Sequence, residues 1–506
     1  MQKHAPHPPS LKIFFATEMW ERYGFYVVQT LLALYLVMHF KWDDSRVYPL
    51  VGSFTALTYL SPVFGGWIAD HLLGQKRTIL LGAFFLFFSY LSLGLLDSKT
   101  GLTFSLACIA VGTGLLKPNI SSLLGNEYLV ESPNRERGFT IFYMGITTGI
   151  ILGTTFPSYI QSTFGWSVSF LSAAFGMILA VFVFCYGVYR YHIKDYTPFQ
   201  FQFKNIVLAL LLIVLVCYGS YWTLNQPGIA DALFSVIGLL SLAYLILTVK
   251  EERGMQSRQT LVIGILCLIS IMFWAFYFQM FLSLTLFLKR VVQPTLFGMP
   301  FPPPYYVAVQ SFGMILFGLF LGRKIKKISL AQHSIRVGNK FLASMICMIA
   351  AYAVITLVSH LNDNLSLLSP LFFIPAYLMI SLAELLLSPV GLSAITILSS
   401  NKKVSTMMGI FFVSLGLGGF LSGKLAAITA ISKKELSSIS VIALKSHYAE
   451  TFTVLLYILI AATALCVFLN FTIRRLMTNQ SDPTKTKPAS VTKFRLDKSN
   501  SHEFLA

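Results

Sequence analysis

Long apolar runs alternate with short polar links along most of this 506-residue chain. A helix needs roughly 20 mostly apolar residues to cross the hydrocarbon core of a bilayer. The pattern therefore predicts an all-α polytopic membrane protein whose apolar runs are transmembrane helices. The predicted spans cover residues 12–40, 47–70, 78–96, 102–124, 139–161, 167–189, 205–224, 229–249, 260–288, 304–322, 339–359, 367–399, 404–430 and 448–473, which makes fourteen.

The polar links divide these spans into two halves of six with an extra pair between them. One link at residues 191–204 precedes the extra pair, and another at 250–260 follows it. We accordingly predict five segments: a cytoplasmic N-terminus at 1–11, an N-terminal six-helix bundle at 12–190, a linker with two extra transmembrane helices at 191–259, a C-terminal six-helix bundle at 260–473 and a disordered cytoplasmic tail at 474–506.

The first predicted helix carries three ionisable groups in an otherwise apolar run. Glu18, Glu21 and Arg22 are spaced i, i+3 and i+4, so they share one face of a helix. A charge at the bilayer centre costs roughly 2.5 to 3.5 kcal/mol, so such groups normally face a bundle interior or an aqueous cavity. The alternative is a wet, structural position at the membrane surface. The apolar residues 13–16, which precede the cluster, favour the intramembrane position.

Two further charges, Lys117 and Glu384, lie inside predicted spans without a charged neighbour on their own helix. Lys117 would either extend to the nearer interface or pair with an opposite charge. Glu384 would either bond to a neighbouring helix or meet a ligand. Because Lys117 lies in the first half and Glu384 in the second, a cavity between the halves would be bipolar. Such a cavity suits a zwitterion.

The composition excludes a soluble protein of this size. The chain is 56% hydrophobic and 11% charged, with a mean hydropathy of +0.71. Its net charge of +18 comes from lysines and arginines concentrated in the links, which indicates membrane orientation and not nucleic-acid binding. Most of these cations fall on one side of the predicted topology, so both termini are expected in the cytoplasm. We read no removable signal peptide at the N-terminus.

The cysteines and histidines give no indication of a metal site, a cofactor or an enzyme. The six cysteines lie in separate apolar runs without CxxC spacing, as reduced core residues do. The chain contains no GxSxG or HExxH motif, and its nine histidines lie mostly in links and tails. We therefore expect no cofactor and no enzymatic activity. A non-transporting sensor would need a signalling domain, and the tail is too short for one.

Several stretches together resemble one known family. The sequence Glu-x-x-Glu-Arg-Tyr at residues 18–23 resembles the ExxERF motif of the proton-dependent oligopeptide transporters, the POT or PTR branch of the major facilitator superfamily. Similar to that family are also GLLKPNIS at 114–121, FYMGITTG at 142–149 and ELLLSPVGLS at 384–393. The link at 65–77 resembles a conserved loop of major facilitator transporters, and residues 322–327 are its basic remnant in the second half.

The resemblance implies a major facilitator fold with an inserted helical pair, and a proton-coupled symporter that imports di- and tripeptides across the bacterial inner membrane by alternating access. It implies proton coupling by Glu18 and Glu21, with Arg22 as their counter-ion. Lys117 would pair with this motif or with the peptide carboxylate, and Glu384 would meet the peptide amino group. The expected partners are the peptide, protons and the lipid bilayer, and the expected state is a monomer. The alternative substrate is another small zwitterion or anion, such as an amino acid, a modified peptide or a drug-like compound.

Other polar and aromatic side chains are candidates for the same cavity, and some depart from the family pattern. An arginine usual in the family is replaced by Gln29, an asparagine by Thr147 and a tryptophan by Phe411. Residues 273–279 carry aromatics where many members have a proton-linked glutamate. The candidate substrate-binding residues are Tyr26, Gln29, Tyr59, Lys117, Thr147, Tyr277, Gln279, Gln310, Glu384, Ser388 and Phe411, and Tyr143 and Asn119 are further candidates for the lining.

Overall fold

Helices account for almost all of the residues that the computed structural model describes, which are 7–128, 134–195, 202–321, 330–360, 366–400 and 403–478. The predicted basic remnant at 322–327 and the tail beyond residue 478 lie outside these ranges. The helices are α1 (Leu11–Met38), α2 (Asp44–Ile68), α3 (Gln75–Leu95), α4 (Lys99–Asn126), α5 (Asn134–Phe164), α6 (Trp166–Tyr191), α7 (Phe203–Asn225), α8 (Pro227–Glu251), α9 (Gly254–Tyr277), α10 (Ser283–Val291), α11 (Pro304–Leu321), α12 (Leu330–His360), α13 (Ile374–Leu398), α14 (Val404–Ala426), α15 (Lys433–Leu436) and α16 (Val441–Thr478).

Each of the fourteen predicted spans corresponds to a helix. In the described ranges, twelve helical stretches are long and apolar enough to cross a membrane. The other two are α11, which is shorter, and α1, which has 28 residues and carries the three charges. One span consists of α9 and α10, which are joined through a 3-10 turn at Phe278–Phe281. Helices α12 and α16 begin before their apolar runs do, because a helix continues past the hydrocarbon boundary.

The helices pack as two bundles with an inserted hairpin. In the first bundle, α1 packs against α5 and α6, and α4 packs against α2 and α3. In the second, α12 packs against α13 and α16, α14 against α9, and α11 against α13. The inserted helices divide between the bundles, since α7 packs on α2 and α4 while α8 packs on α9 and α14. An ion pair of 2.6 Å between Lys424 and Asp231 also joins α14 to α8.

Glycines allow the two bundles to meet closely along α2 and α14. The α14 segment at residues 416–423 is rich in glycine. A Cβ placed on Gly52 of α2 would lie 2.8 Å from the Gly423 Cα, so these helices touch backbone to backbone. On the other face of α14, a Cβ on Gly418 would lie 2.5 Å from the Trp274 Cβ of α9. Helix α14 is therefore held between its own bundle and the other one.

A small antiparallel hairpin, absent from the sequence prediction, follows α10. Its strands are β1 (Thr295–Leu296) and β2 (Met299–Pro300). Phe297 and Gly298 form the two-residue turn, and both have positive φ, 51° and 79°. Positive φ at both central positions is typical of a type I′ hairpin turn, and a glycine adopts positive φ readily whereas a phenylalanine rarely does.

A methyl group at Gly65 is expected to destabilise the first bundle. The Cβ would lie 2.0 Å from the Gly114 carbonyl oxygen, so α2 and α4 would have to separate. Overpacking of this kind typically costs about 1 to 3 kcal/mol. Gly65→Ala should therefore lower the melting temperature of the purified protein in detergent. The neighbouring Gly66→Ala is the matched control, because no atom lies within 4 Å of its Cβ position. Equal melting temperatures for the two variants would contradict this account.

Candidate functional site

The charged cluster of the first bundle lies on α1 and is buried. Glu21 is 0% exposed, Glu18 is 1% and Arg22 is 3%, which rules out the wet surface position. The Arg22 guanidinium donates to both carboxylate oxygens of Glu21, through Nε to Oε2 and through Nη2 to Oε1 at 2.5 Å. Glu18 has fewer close contacts with Arg22 than Glu21 has. Its Oε1 lies 3.6 Å from Arg22 Nε, and its buried Oε2 has no hydrogen-bond partner among the described residues.

Small residues on α5 bring that helix against the cluster. A Cβ on Gly149 would lie 2.3 Å from the Met19 carbonyl oxygen and 2.8 Å from the Arg22 Cβ. One turn further on, a Cβ on Gly153 would lie 2.6 Å from the Tyr23 carbonyl oxygen. A larger side chain at either position would separate α5 from α1. Gly149, the last residue of the FYMGITTG stretch, thus allows α5 to pack closely over the Glu21–Arg22 pair.

Lys117 of α4 is half-buried and lies against Tyr59 of α2. Its Nζ lies 5.1 Å from the ring centroid of Tyr59 and is within electrostatic range of Arg22, Glu21 and Glu18. In the described part of the chain, no carboxylate oxygen lies within 4 Å of this ammonium group. Lys117 therefore remains available to a negatively charged group between the bundles.

The polar cluster of the second bundle is centred on Glu384 of α13. Its Oε2 accepts hydrogen bonds from the Tyr277 hydroxyl at 2.9 Å and from Gln310 Nε2 at 2.6 Å. Ser381 donates to the Gln310 carbonyl oxygen at 2.7 Å, which fixes α11 against α13. Glu384 is half-buried, and its Oε1 makes no hydrogen bond within the described ranges. Glu384 thus accepts hydrogen bonds from two neighbouring helices through one oxygen, and its other oxygen has no hydrogen bond among the described residues.

Three tyrosines lie between the two clusters. Tyr26 and Tyr59 are within electrostatic range of Arg22 on one side and of Glu384 on the other. Tyr143 of α5 is within range of Glu18 and Glu384. Because Tyr143 is 55% exposed although it is close to carboxylates of both bundles, it lines an open space between them. The two clusters therefore face one another across a polar, tyrosine-lined gap.

Aromatic rings from the two bundles meet beside this gap. The Phe278 and Tyr59 ring centroids are 5.3 Å apart, and those of Phe281 and Tyr26 are 6.3 Å apart. Both phenylalanines belong to the 3-10 turn between α9 and α10. The aromatic stretch at 273–279 thus contributes Phe278 to the contact between the bundles. Within the second bundle, the same stretch contributes the Tyr277 hydroxyl that donates to Glu384.

Several other predicted site residues are buried or have side-chain hydrogen bonds within the protein. Gln279 is fully buried and donates to the Ser422 carbonyl oxygen at 2.8 Å, so it joins the 3-10 turn to α14. Gln29 is 3% exposed and donates to Thr55 Oγ1 at 3.2 Å, and Phe411 is 2% exposed. Thr147 donates to the Tyr143 carbonyl oxygen at 3.1 Å, and Ser388 lies one turn beyond Glu384 on α13. Asn119 donates to the Gly65 carbonyl oxygen at 3.2 Å and so serves the contact between α2 and α4.

One buried ion pair between the bundles has no counterpart in the sequence analysis. Asp44, at the start of α2, accepts from both terminal nitrogens of Arg290 at 2.7 Å each. Arg290 also donates to the Tyr448 hydroxyl at 2.8 Å, and the Ile431 backbone N–H donates to Asp44 Oδ2 at 3.1 Å. This network joins the first bundle to α10, α16 and the segment before α15. It closes the end of the molecule at which α1 ends and α2 begins.

Comparisons with known proteins agree with this architecture. A family model described as the POT family matches residues 76–442. The chain is 30% identical over 432 residues to a dipeptide and tripeptide permease A of Salmonella typhimurium, which covers 84% of this chain and 85% of the relative. It is 32% identical over 434 residues to a Citrobacter koseri protein of the same name, with 83% and 84% covered.

Two solved structures extend the likeness to the fold. A structure described as giving insights into substrate recognition in proton dependent oligopeptide transporters matches with a TM-score of 0.78 and 24% identity, over 92% of this chain and 99% of that one. A structure of tetrameric PepTSo2 matches with a TM-score of 0.80 and 25% identity, over the same shares. These likenesses confirm the predicted fold of two six-helix bundles with an inserted pair.

Proposed function

Because this chain belongs to the POT family of the major facilitator superfamily, we propose that it imports di- and tripeptides together with protons across a bacterial inner membrane. The relatives named as dipeptide and tripeptide permeases support the substrate class. The proposed transport proceeds by alternating access, in which the two bundles rock around a site between them. The distribution of cations in the links supports an orientation with both termini in the cytoplasm.

The observation that carries this proposal is the presence of one basic and one acidic side chain on opposite bundles, each with bonding capacity that the described residues do not use. Lys117 has no carboxylate within 4 Å in the described ranges, and Glu384 keeps one oxygen without a hydrogen bond. A short peptide carries a carboxylate at one end and an ammonium group at the other. In our proposal Lys117 binds the carboxylate and Glu384 the ammonium group, while Tyr26, Tyr59 and Tyr143 line the gap. Since both bundles of one chain form this gap, we propose the monomer as the transporting unit.

We assign different roles to the two α1 carboxylates. Glu21 accepts hydrogen bonds from Arg22 at both carboxylate oxygens, so both of its acceptor atoms are occupied. Glu18 has a buried carboxyl oxygen without a hydrogen-bond partner among the described residues, so this oxygen is open to a proton. Glu18 is therefore the proposed proton carrier in this conformation, and the Glu21–Arg22 pair is its electrostatic partner. A substrate carboxylate arriving at Lys117 changes the charge beside both glutamates.

Uptake by proteoliposomes tests the proposed activity directly. The full-length protein is reconstituted, and uptake of labelled di- and tripeptides is measured with and without an inward proton gradient. We expect the gradient to drive accumulation and a protonophore to abolish it. Absence of gradient-driven accumulation for every peptide, from protein that melts cooperatively, would contradict the proposal.

Lys117→Gln is expected to remove the preference for a free carboxylate. A charge-assisted hydrogen bond contributes about 1.5 to 3 kcal/mol, so a dipeptide should bind about tenfold or more weakly to the variant. The C-terminally amidated dipeptide should bind both proteins about equally. Lys117→Arg keeps the positive charge and is the control. Affinities are measured by competition against a labelled peptide. If Lys117→Gln still prefers the free carboxylate over the amide, another residue binds the peptide carboxylate.

Glu384→Gln is expected to remove the preference for a free amino group. The amide oxygen still accepts from Tyr277 and Gln310, so the geometry is kept while the charge is lost. An ordinary dipeptide should bind about tenfold more weakly, whereas its N-acetylated form should be little affected. The same competition assay measures both ligands. If both peptides lose affinity equally, the amino group is bound by another residue.

A second candidate substrate class is another small zwitterion or anion. Gln29 stands where the family pattern has an arginine, and Phe278 lies in the stretch where many members carry a glutamate, so this chain has fewer charged side chains at these positions of the two bundles. A thermal-shift screen of dipeptides, tripeptides and amino acids separates the candidates, because a ligand stabilises by RT ln(1 + [L]/Kd). Stabilisation by amino acids alone would favour the second class.

A further inference from the structure

A groove of about 570 Å³ lies between α8, α9 and α14, away from the gap between the bundles. The antiparallel helices α8 and α9 form its walls, and residues 410–417 of α14 form its floor. Small residues keep it open. A Cβ on Gly264 would meet only Leu245 within 4 Å, at 3.7 Å, and Gly238 and Ser241 face it from α8. Protein side chains therefore leave this volume unfilled.

The lining is apolar except at four positions: Ser241, Lys250, Thr260 and Ser414. The Thr260 hydroxyl donates to Glu252 at 2.5 Å, and the Ser414 hydroxyl donates to the Phe411 carbonyl oxygen at 2.6 Å. Those two groups are satisfied within the protein. Lys250, at one end of the groove, is its ionic group.

The charge of Lys250 is not balanced by its neighbours. Glu251 pairs with Lys403 at 2.5 Å, and Glu252 accepts from Ser400 as well as Thr260. No carboxylate in the described ranges lies within 4 Å of the Lys250 ammonium group. The exposed Arg253 adds a further cation beside the short turn between α8 and α9. This end of the groove therefore carries an excess of positive charge.

The groove has the length of one leaflet. From Lys250 to Gly238 along α8 the distance is about 18 Å at 1.5 Å per residue. Half of a bilayer core of about 30 Å is about 15 Å. Leu242 and Leu247 of α8 are 54% and 64% exposed, so the groove opens sideways toward hydrocarbon and not toward water. An apolar slot of leaflet length with a cation at the membrane boundary matches the shape and charge of a phospholipid.

We propose that this groove binds one acyl chain of an anionic phospholipid and that Lys250 binds the lipid phosphate. A basic residue at the boundary of a membrane helix attracts anionic headgroups, which gives the site its selectivity. The acyl chain fills the space that Gly238, Ser241 and Gly264 leave open. The lipid then lies where the inserted hairpin joins the second bundle, and it contributes to holding α8 against α9 and α14.

Native mass spectrometry of the delipidated full-length protein tests this assignment. Phosphatidylglycerol and phosphatidylethanolamine with identical chains are titrated separately, and the first bound lipid is quantified. We expect phosphatidylglycerol to bind more tightly. One lysine contributes about 1 kcal/mol at a membrane surface, so Lys250→Gln should weaken phosphatidylglycerol binding about fivefold and remove the difference between the lipids.

Two further sets of variants make the test specific. Lys204→Gln removes an exposed lysine from the start of α7, at the same boundary but outside the groove, and should leave binding unchanged. Gly264→Leu and Ser241→Leu fill the groove from opposite walls, and whichever variant keeps the wild-type melting profile should lose the first bound lipid. Equal binding of the two lipids to the wild type, or equal losses in Lys250→Gln and Lys204→Gln, would overturn the proposal.

Discussion

Glu21→Gln is expected to slow proton-driven peptide uptake strongly and to lower the melting temperature of the protein. The substitution removes the carboxylate that holds both Arg22 nitrogens, and it leaves a buried guanidinium with only the 3.6 Å contact to Glu18. Breaking one partner of a buried ion pair costs about 3 to 5 kcal/mol. Initial uptake rates under an imposed proton gradient should fall about tenfold or more. Both measurements use the same preparation in liposomes and in detergent.

Glu18→Gln is the matched comparison. It leaves the Glu21–Arg22 pair intact, so the melting temperature should change little, while the proposed proton carrier is lost. Peptide exchange at equal pH on both sides should continue in this variant, because exchange needs no net proton movement. Gradient-driven accumulation in Glu18→Gln at the wild-type rate would remove Glu18 from the proposed mechanism. A normal melting temperature in Glu21→Gln would show that Arg22 has another anionic partner.

Asp44→Asn is expected to open the end of the molecule at which α1 ends and α2 begins. The Asp44 carboxylate is 1% exposed and is the ionic partner of Arg290, so the isosteric amide leaves a mostly buried cation unpaired. A loss of about 3 kcal/mol changes a two-state ratio by about a hundredfold. Spin labels at Lys41 and Lys434, exposed positions on opposite bundles, should show a longer distance population by double electron–electron resonance. Uptake should slow, because the bundles close here less readily.

Two neighbouring substitutions provide the controls for Asp44→Asn. Asp43 accepts a backbone hydrogen bond from Lys433 at 2.6 Å and is exposed, so Asp43→Asn should leave the distance distribution nearly unchanged. Tyr448→Phe removes one hydrogen bond to Arg290 and should have an intermediate effect of about 1 kcal/mol. Identical distributions for Asp44→Asn and the wild type would show that this pair does not hold the bundles together.

Much of the site was predictable because its chemistry is costly in a membrane. Glu18, Glu21 and Arg22 share a helix face by their spacing alone, and their burial agrees with the prediction. Lys117 and Glu384 were recognisable as isolated charges within apolar runs. The local sequence also contains the Gly65 and Gly66 pair, but only the packing shows that a Cβ on Gly65 would collide with α4 while one on Gly66 would meet no other part of the described structure.

Other candidates could not be assigned because hydrogen-bond partners far along the chain decide their roles. Gln279 resembled a ligand-binding amide, yet its donors are used by carbonyl oxygens of residues 275 and 422. Asp44 and Arg290 are separated by 246 positions, and the local sequence around either residue does not indicate the other. Tyr143 was one of several tyrosines in apolar spans, and its closeness to both Glu18 and Glu384 depends on how α5 packs.

The sequence by itself determined the fourteen spans, the two halves with their inserted pair, and the residues whose charge demands a partner or a cavity. These follow from hydrophobic length and from the cost of burying charge, which are local properties of the chain. The tertiary structure decided which charges are matched and which remain unused. It pairs Glu21 with Arg22 and Asp44 with Arg290, and among the described residues it gives no carboxylate partner to Lys117 or Lys250 and no hydrogen bond to one oxygen of Glu384. Such pairing depends on distances of a few ångströms between separate helices, and only the packing sets those distances.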